Sequence, residues 1–342
     1  MDSTISIIIP FYNNEKYIND CVSSILNQNF TSWQAIFIDD ASTDYGLTVV
    51  KKIADIDKRI VLVHNKTNVG AAQSRVVGLR YARSPYIMFL DGDDILAEDA
   101  LHSLWKGIKD VDACIGQHII LQKGKSIKPK QRTASGMYTG DALNALKERM
   151  IYSAGGYSGM SLDGVLWKTL FKREFIYNNL CYVDSKLWFS EDHLLFVATM
   201  MDVSSLRIID ECVYYYKKHD NNITLLYKPK YFENAVRLYY DFENLVKNKN
   251  GSQIMKKTNE WFFLKNVEHS IKREVMQSGK NYTDCKKELK KISMHPLFRK
   301  LFNDKNLSTL DHSCKKYLKL LYHRYFGIIY ASLKWKKMKA NL

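Results

Sequence analysis

Nowhere in this 342-residue chain do about 18 apolar positions run together, the length a helix needs to cross a bilayer, so no transmembrane helix is expected. The opening Met1-Asp2-Ser3-Thr4 leads straight into a strand-like run. It lacks the basic stretch and short apolar core of a secretion signal, and export is not expected. The six cysteines (Cys21, Cys114, Cys181, Cys212, Cys285, Cys314) include no Cys-x-x-Cys pair. They suit neither a zinc site nor a disulfide framework and read as the reduced thiols of a cytoplasmic protein. There is no internal repeat and no low-complexity tract. Gly-x-Gly-x-x-Gly does not follow the first strand, where Pro10-Phe-Tyr-Asn-Asn14 stands instead, and Gly-x-x-x-x-Gly-Lys-[Ser/Thr] is absent. A bound phosphate would therefore need a handle other than a glycine-rich loop.

What is present is an ordinary globular balance, 46% hydrophobic and 25% charged, with ample length for a core and room for one large domain or two. Aromatic residues make up 13% of the chain, with 22 tyrosines, which suits sugar-binding clefts and plain cores alike. The net charge of +15 is concentrated at one end. Residues 247–342 hold 23 Lys/Arg and 7 Asp/Glu, a net of +16, so residues 1–246 are close to neutral. Such asymmetry points to an anionic partner for the C-terminal segment, a membrane surface or a nucleic acid.

Along the chain, Ile5–Ile9, Trp33–Ile38, Ile60–Val63 and Tyr86–Leu90 read as strands, separated by helical periodicity over 15–28, 44–56 and 71–83. That β-α-β-α-β-α-β order predicts an α/β fold with a doubly wound, mostly parallel sheet. A helix is expected over about 97–109, a strand over 113–121, a polar loop over 122–136, and a helix from Thr139 to Met150. A glycine-rich cleft loop is expected over 153–164. Further on, a helix opens at Ser190-Glu191-Asp192, and Leu206–Ile209 and Cys212–Tyr216 read as two short strands. From about residue 230 the pattern is helical. In the last segment, 313–337, Leu318, Leu321, Tyr322, Tyr325, Ile328, Ile329 and Leu333 share a side, with lysines and arginine between or beyond them.

The chemistry concentrates where strands end. Tyr86–Leu90 runs into Asp91, Asp93 and Asp94, and the second strand runs into Asp39, Asp40 and then Asp44. Ligands of open α/β sheets collect at the carboxyl ends of strands, and clustered carboxylates repel one another unless a cation sits between them. A divalent metal holding a phosphorylated ligand is one reading; an acidic turn is the other, since Asp-Gly-Asp is also good turn chemistry.

Five ordered motifs sharpen this. Ile7-Ile-Ile-Pro-Phe-Tyr-Asn-Asn14, Ile38-Asp-Asp-Ala-Ser-Thr-Asp44, Asn68-Val-Gly-Ala-Ala-Gln-Ser-Arg75, Phe89-Leu-Asp-Gly-Asp-Asp94 and Ser190-Glu-Asp192 stand in sequence over the first ~220 residues. In that order they resemble family 2 glycosyltransferases, nucleotide-sugar enzymes with the GT-A fold. The resemblance implies a mostly parallel sheet sandwiched by helices over residues 1–225, with a basic, helix-rich C-terminal extension over 226–342. It implies that Tyr12, after Pro10, packs on the nucleobase, and that Asp40, with Asp39 beside it, accepts a base N–H. Asn68, Arg75 and Glu191 join the substrate-binding set. Asp91 and Asp93 correspond to the Asp-x-Asp motif, with Asp93 on Mn²⁺ or Mg²⁺ and Asp91 on the ribose or the metal's water shell; His219 corresponds to a further metal or diphosphate ligand. Asp192 corresponds to the base that deprotonates the acceptor hydroxyl in an inverting displacement. Two departures are visible: Ala41 stands where the family has Gly, and the Gln-x-x-Arg-Trp motif of processive synthases is missing.

Each residue also has a plain structural reading. Tyr12 could be a core ring, Asp39, Asp40 and Asp44 could be turn and cap residues, and Asp94 reads as a helix-capping neighbour of Asp91 and Asp93. Glu191 and Asp192 could be the acidic first turn of a helix, Arg75 a structural ion pair, and His219 a solvated loop histidine. The basic tail, which the resemblance does not cover, reads as an amphipathic helix on an anionic membrane, with a helical bundle or an oligomer contact as alternatives. Nucleic-acid binding has no supporting signature. The expectation is therefore a single-addition, inverting hexosyltransferase on the inner face of the cell membrane. It would take a nucleotide sugar, UDP-linked by preference, and a saccharide or lipid-linked saccharide acceptor in surface glycan synthesis. A nucleotidyltransferase and a non-catalytic glycan- or membrane-binding protein are the competing readings.

Overall fold

The computed structural model describes residues 3–152, 162–219 and 227–340. It divides into two compact units, one of Met1–Lys147 with Met160–His219, the other of Glu148–Gly159 with Asp220–Leu342.

In the first unit the described residues place ten strands in one sheet: β1 (Ile5–Phe11), β2 (Trp33–Asp39), β3 (Ile60–His64), β4 (Tyr86–Phe89), β5 (Ile95–Leu96), β6 (Ala113–Gln122), β7 (Lys125–Ile127), β8 (Gly136–Thr139), β9 (Thr169–Lys172) and β10 (Ser205–Lys218). The helices are α1 (Ile18–Leu26), α2 (Gly46–Ile56), α3 (Ala71–Leu79), α4 (Ala100–Gly107), α5 (Gly140–Lys147), α6 (Arg173–Tyr177) and α7 (Glu191–Asp202). Strand order is β3-β2-β1-β4-β9-β6-β10-β5, with β7 on β6 and β8 on β10. Strands β1 to β4 are mutually parallel, and β9 is antiparallel to both β4 and β6, so β6 and its parallel neighbour β10 run with β1 to β4. Six strands thus share a direction and end on one edge, where the acids stand.

The reason β1 is apolar throughout is that all seven of its residues are buried. Ile5, Ile7 and Ile9 join Trp33, Phe37, Val22, Ile25 and Leu104 in one core. On the opposite face α3 lies so close that a Cβ on Gly78 would come within 2.5 Å of the Ile38 Cδ1.

The sheet departs from the sequence reading in three places. Leu206–Ile209 and Cys212–Tyr216 are one strand, β10, whose register on β6 shifts at Ile208/Cys212 and again at Cys212/Tyr214. A β-bulge absorbs the polar Asp210-Glu211 pair that had looked like a break. The stretch 122–136 contains β7, an exposed hairpin partner of β6. Helix α4 starts only at Ala100, because Ile95–Leu96 pairs with β10 first. Most of the expected glycine-rich loop, residues 153–161, lies outside the described residues.

Ala41, in the position where the related motif carries glycine, has φ 61°. A left-handed conformation costs a side-chain-bearing residue about 1–2 kcal/mol, against the 0.5–1 kcal/mol of extra chain entropy that glycine loses on folding. Ala41→Gly is therefore expected to raise the urea midpoint by an amount worth about 0.5–1 kcal/mol with an unchanged m-value. An unchanged or lower midpoint would contradict that assignment of strain.

The second unit is helical: α8 (Tyr231–Asn248), α9 (Gln253–Met276), α10 (Tyr282–Met294), α11 (Pro296–Leu301), α12 (Asp304–Ser308), α13 (His312–Tyr322) and α14 (Phe326–Ala340). Several starts are capped by side chains: Ser252, Asn281, Asn303 and Asp311 each accept a hydrogen bond from the backbone N–H three residues on. Pro296 opens α11, where it needs no N–H partner. The 24-residue α9 gives Phe263, Leu264, Val267, Ile271 and Val275 to a core shared with Leu289, Phe298, Leu318, Leu321, Ile329 and Leu333.

That core corrects the reading of 313–337 as one membrane-lying helix. The segment is two helices broken at Arg324 (φ 64°), and Leu318, Leu321, Ile329 and Leu333 are fully buried inside the unit. The apolar stripe was real, but it covers protein. Tyr325, Ile328, Trp335 and Met338 remain exposed. Among the described residues no helix is long and apolar enough to cross a membrane.

Candidate active site

Parallel β1, β2 and β4 deliver their C-terminal residues to one place. The Phe11 Cα pairs with Asp39 across β1 and β2, and the Asp39 Cα with His64 across β2 and β3. Buried Pro10 turns its carbonyl toward the Asp91-Gly92-Asp93 loop and accepts the Gly92 N–H at 3.2 Å. A Cβ at Gly92 would meet the Phe11 Cβ at 2.5 Å, so only glycine lets the acidic loop sit this close to β1. Tyr12, just beyond, is 45% exposed, which removes the core-ring reading and leaves its face open.

The two acids after β2 have different partners. The Asp39 carboxylate is buried. It accepts the Ser42 N–H at 3.3 Å and faces the Nδ1 of His64, a half-exposed residue, at 2.6 Å. Asp40 clamps the next loop. Its Oδ1 accepts from the Asn65 side chain and the Val69 N–H, both at 2.9 Å, and its Oδ2 accepts the Gly70 N–H at 2.8 Å. Asn68 completes the clamp by donating to the Asp40 carbonyl at 3.2 Å. With about two acceptor directions per carboxylate oxygen, Asp40 has one left, on Oδ2. Asp44 holds the start of α2, accepting the Gly46 and Glu15 N–H groups.

Arg75 joins the rest. Its buried guanidinium donates to Asp91 Oδ1 at 2.8 Å and to Glu191 Oε1 at 3.2 Å. It thereby connects a strand end to the start of α7, whose Glu191 lies 116 residues beyond Arg75 in the chain. Burial would discharge this group, but Asp91, Glu191 and Asp192 together hold its pKa above the ordinary value. Its Nε–H is buried and finds no acceptor among the described residues. The structural ion pair read for Arg75 is thus made with the Asp-x-Asp loop itself. Ser190 enters α7 at φ 56°. Desolvation, the first cause in each case, raises the pKa of Glu191 and of Asp192; Asp192 adds to the rise at Glu191 and Asp91 to that at Asp192, while Arg75 opposes both.

On the far side, Asp93 Oδ2 lies 3.0 Å from His219 Nε2, and the His219 ring stacks on Tyr17 at 4.2 Å. Burial and the charge of Asp91 push Asp93 upward, against the opposing pull of His219. Asp94 is not a helix cap. It accepts the Tyr214 hydroxyl at 2.7 Å and the Lys217 N–H at 2.7 Å, and burial plus Asp93 and Asp91 raise it well above the ordinary carboxylate range. Tyr214 also takes the Asp91 N–H at 3.2 Å. Neither Tyr214 nor Lys217 stood out in the sequence. The signal was alternation along β10, which puts Tyr214 and Tyr216 on one face, and it was hidden by the bulge.

Among the described residues no group of three His, Cys, Asp or Glu side chains is arranged to hold a metal ion. Asp93 and His219 converge, whereas Asp91 is turned to Arg75. A carboxylate oxygen and an imidazole nitrogen, beside the buried Asp94 and the partly exposed Asp91, are nevertheless a donor set that suits Mn²⁺. The remaining coordination positions would fall to ligand oxygens and water.

Residues 6–165 match the family model described as Glycosyl transferase family 2. An uncharacterized glycosyltransferase of Haemophilus influenzae is 40% identical over 120 residues, 35% of this chain and 46% of that protein. The uncharacterized glycosyltransferase EpsJ of Bacillus subtilis is 26% identical over 240 residues, 69% of this chain and 67% of EpsJ. This chain thus spans less than half the length of the first relative. Among solved structures, residues 1–349 of the Staphylococcus aureus TarS in complex with UDP-GlcNAc superpose with a TM-score of 0.67 at 16% identity, over 98% of this chain and 92% of that one. The mannosyltransferase PcManGT of Pyrobaculum calidifontis, in complex with GDP-Man and Mn²⁺, reaches 0.51 at 16% identity, covering 98% and 88%. These structural likenesses establish the GT-A fold. The family model thus matches the stretch of this chain that carries the acids after β2 and β4, and through that stretch the chain is similar to glycosyltransferase family 2.

Proposed function

We propose that this chain is an inverting transferase that moves one sugar from a nucleoside diphosphate, preferably UDP, to a hydroxyl of a saccharide acceptor, lipid-linked or polymeric, in surface glycan synthesis. The observation that carries the reading is the Arg75 bridge, one buried guanidinium spanning Asp91 of the Asp-x-Asp loop and Glu191 beside Asp192. Binding of UDP-GlcNAc by TarS, named a poly(ribitol-phosphate) β-N-acetylglucosaminyltransferase, supports the choice of nucleotide.

In this reading the exposed ring of Tyr12 covers the base, and the remaining acceptor direction of Asp40 takes a base N–H, with Asp39 fixed by His64 behind it. The unsatisfied Nε–H of Arg75 is a donor for a diphosphate oxygen. Asp192 takes the proton from the acceptor hydroxyl as that oxygen attacks the anomeric carbon. Its desolvated carboxylate is a stronger base than an ordinary aspartate. Asp93 and His219 would hold Mn²⁺ or Mg²⁺, which supplies positive charge to the departing diphosphate when bound.

A membrane contact, if this enzyme uses a lipid-linked acceptor, falls to the exposed Tyr325, Ile328, Trp335 and Met338 with the neighbouring lysines, which leave the core intact.

The test is donor recognition. In a thermal-shift panel of nucleotide sugars with Mn²⁺, one UDP-sugar at a hundredfold excess over its Kd should stabilise the protein by about 2.7 kcal/mol, several degrees in Tm. EDTA should remove most of that shift. No shift with any nucleotide sugar would refute the assignment.

A further inference from the structure

A second cluster of charge lies on the same sheet edge. Because β6 runs with β4, the later half of β6 and the entry to β9 both face the edge that carries the carboxylates. There a small cleft, enclosing about 30 Å³ and opening onto solvent, is lined by His118, Lys128, Lys130, Arg132, Asp163 and Lys168 among others. Lys168 is 5% exposed and donates to Asp163 at 2.5 Å. Burial and Lys168 hold His118 down to about 4, so it is neutral at pH 7. Four cations therefore face one carboxylate. Lys128, Lys130 and Arg132 are exposed at the mouth.

Two physical links join this cavity to the acids. The His118 ring meets Trp167 edge-on at 4.9 Å, and Trp167 lies 4.4 Å from Tyr214, whose hydroxyl binds Asp94 and the Asp91 N–H. On the other side Gly164 follows Asp163, and a Cβ there would come within 2.6 Å of the His193 ring, next to Asp192. The donor's diphosphate has Arg75 and the Asp-x-Asp loop, so the excess of positive charge here is left for the other substrate.

We infer that this cavity is an anion subsite that binds a phosphoryl group carried by the acceptor. The identification as an acceptor rests on the transferase reading above; the anion chemistry does not. Two lysines and an arginine around a neutral imidazole suit phosphate oxygens, and their exposed positions allow a chain to pass. The phosphate could come from phosphodiesters within a polymeric acceptor or from the diphosphate of a lipid carrier.

The probes are a synthetic oligo(glycerol phosphate), a prenyl-diphosphate-linked monosaccharide, inorganic phosphate, and a neutral oligosaccharide of similar length. The variant is Lys130→Gln/Arg132→Gln, whose surface positions leave the fold and the donor site untouched. By calorimetry at low salt the variant should bind one of the two organic phosphates at least tenfold more weakly than wild type does. The neutral oligosaccharide should not distinguish the two proteins. Acceptor-independent hydrolysis of the donor should be unchanged in the variant, and the KM for the phosphorylated acceptor should rise with kcat kept. Loss with the oligomer assigns a chain phosphodiester, and loss with the prenyl compound a carrier diphosphate. Equal binding of both organic probes by wild type and variant, or wild-type affinity for inorganic phosphate equal to that for the organic probes, would overturn the inference. If no donor is hydrolysed at all, the transferase reading fails, while the calorimetry still reads the cavity.

Discussion

Asp192→Asn should lower the rate of sugar transfer by about 10²- to 10⁴-fold while leaving donor affinity within a factor of two or so. The substitution preserves size at the first turn of α7 and removes only the ability to accept a proton. Burial is the main reason this carboxylate is more basic than usual, and the charge of Asp91 adds to it; Arg75 keeps the rise in check. The sign for pH follows directly. A base must be deprotonated to act, so wild-type kcat should fall as pH is lowered through the Asp192 pKa. Because that pKa is raised, the fall should begin above the ordinary aspartate range of about 3.9. The residual activity of Asp192→Asn should lack this acidic limb. Stopped assays of kcat against pH, paired with calorimetric donor binding, check both parts. Wild-type turnover in the variant would remove Asp192 from the chemistry.

Arg75→Met should be damaging for a different reason. It removes a buried cation that bridges Asp91 and Glu191 and also lies within the field of Asp192. Breaking a buried pair by deleting one partner costs about 3–5 kcal/mol, and since the Asp91 side chain is 31% exposed, about 2–4 kcal/mol is expected here. Activity should fall by about 10²-fold, as expected when a group that positions the reacting centre is lost. Without Arg75 the folded-state pKa values of Glu191 and Asp192 rise further. The folded variant then binds more protons than the unfolded chain, so its stability deficit is full at pH 7 and shrinks as pH falls toward the unfolded values near 4. Arg75→Lys should recover charge but not the two-pronged geometry, and restore only part of either loss. Urea titrations at pH 7 and pH 5 measure the effect; an equal deficit at both would rule out the electrostatic origin.

The sheet was legible because strands buried on both faces are written as unbroken apolar runs, as in Ile5–Ile9 and Tyr86–Leu90, and because acids follow them. What was less legible is informative. Asp94 looked like a capping neighbour of Asp91 and Asp93, yet its partners, Tyr214 and Lys217, lie 120 and 123 residues away. No local pattern reports such a pairing. The Asp210-Glu211 pair read as a strand break because periodicity is interrupted at a bulge. In the C-terminal region the periodicity of Leu318, Leu321, Ile329 and Leu333 was correct, but a hydrophobic stripe does not say whether lipid or protein covers it. Here it is α9 and its neighbours. Asp40 stood out in the sequence as a candidate, while its hold on Val69 and Gly70 did not, because backbone donors leave no mark in the sequence.

The central claim is a single displacement at the anomeric carbon with Asp192 as base, and the hydrolysis of the donor tests it without any knowledge of the acceptor. With the preferred α-linked UDP-sugar and Mn²⁺, proton NMR followed from the first minutes should show the free sugar appearing as the β-anomer before mutarotation mixes the two, with one UDP released per sugar. Initial formation of the α-anomer, or no UDP released from any nucleotide sugar, would contradict the account.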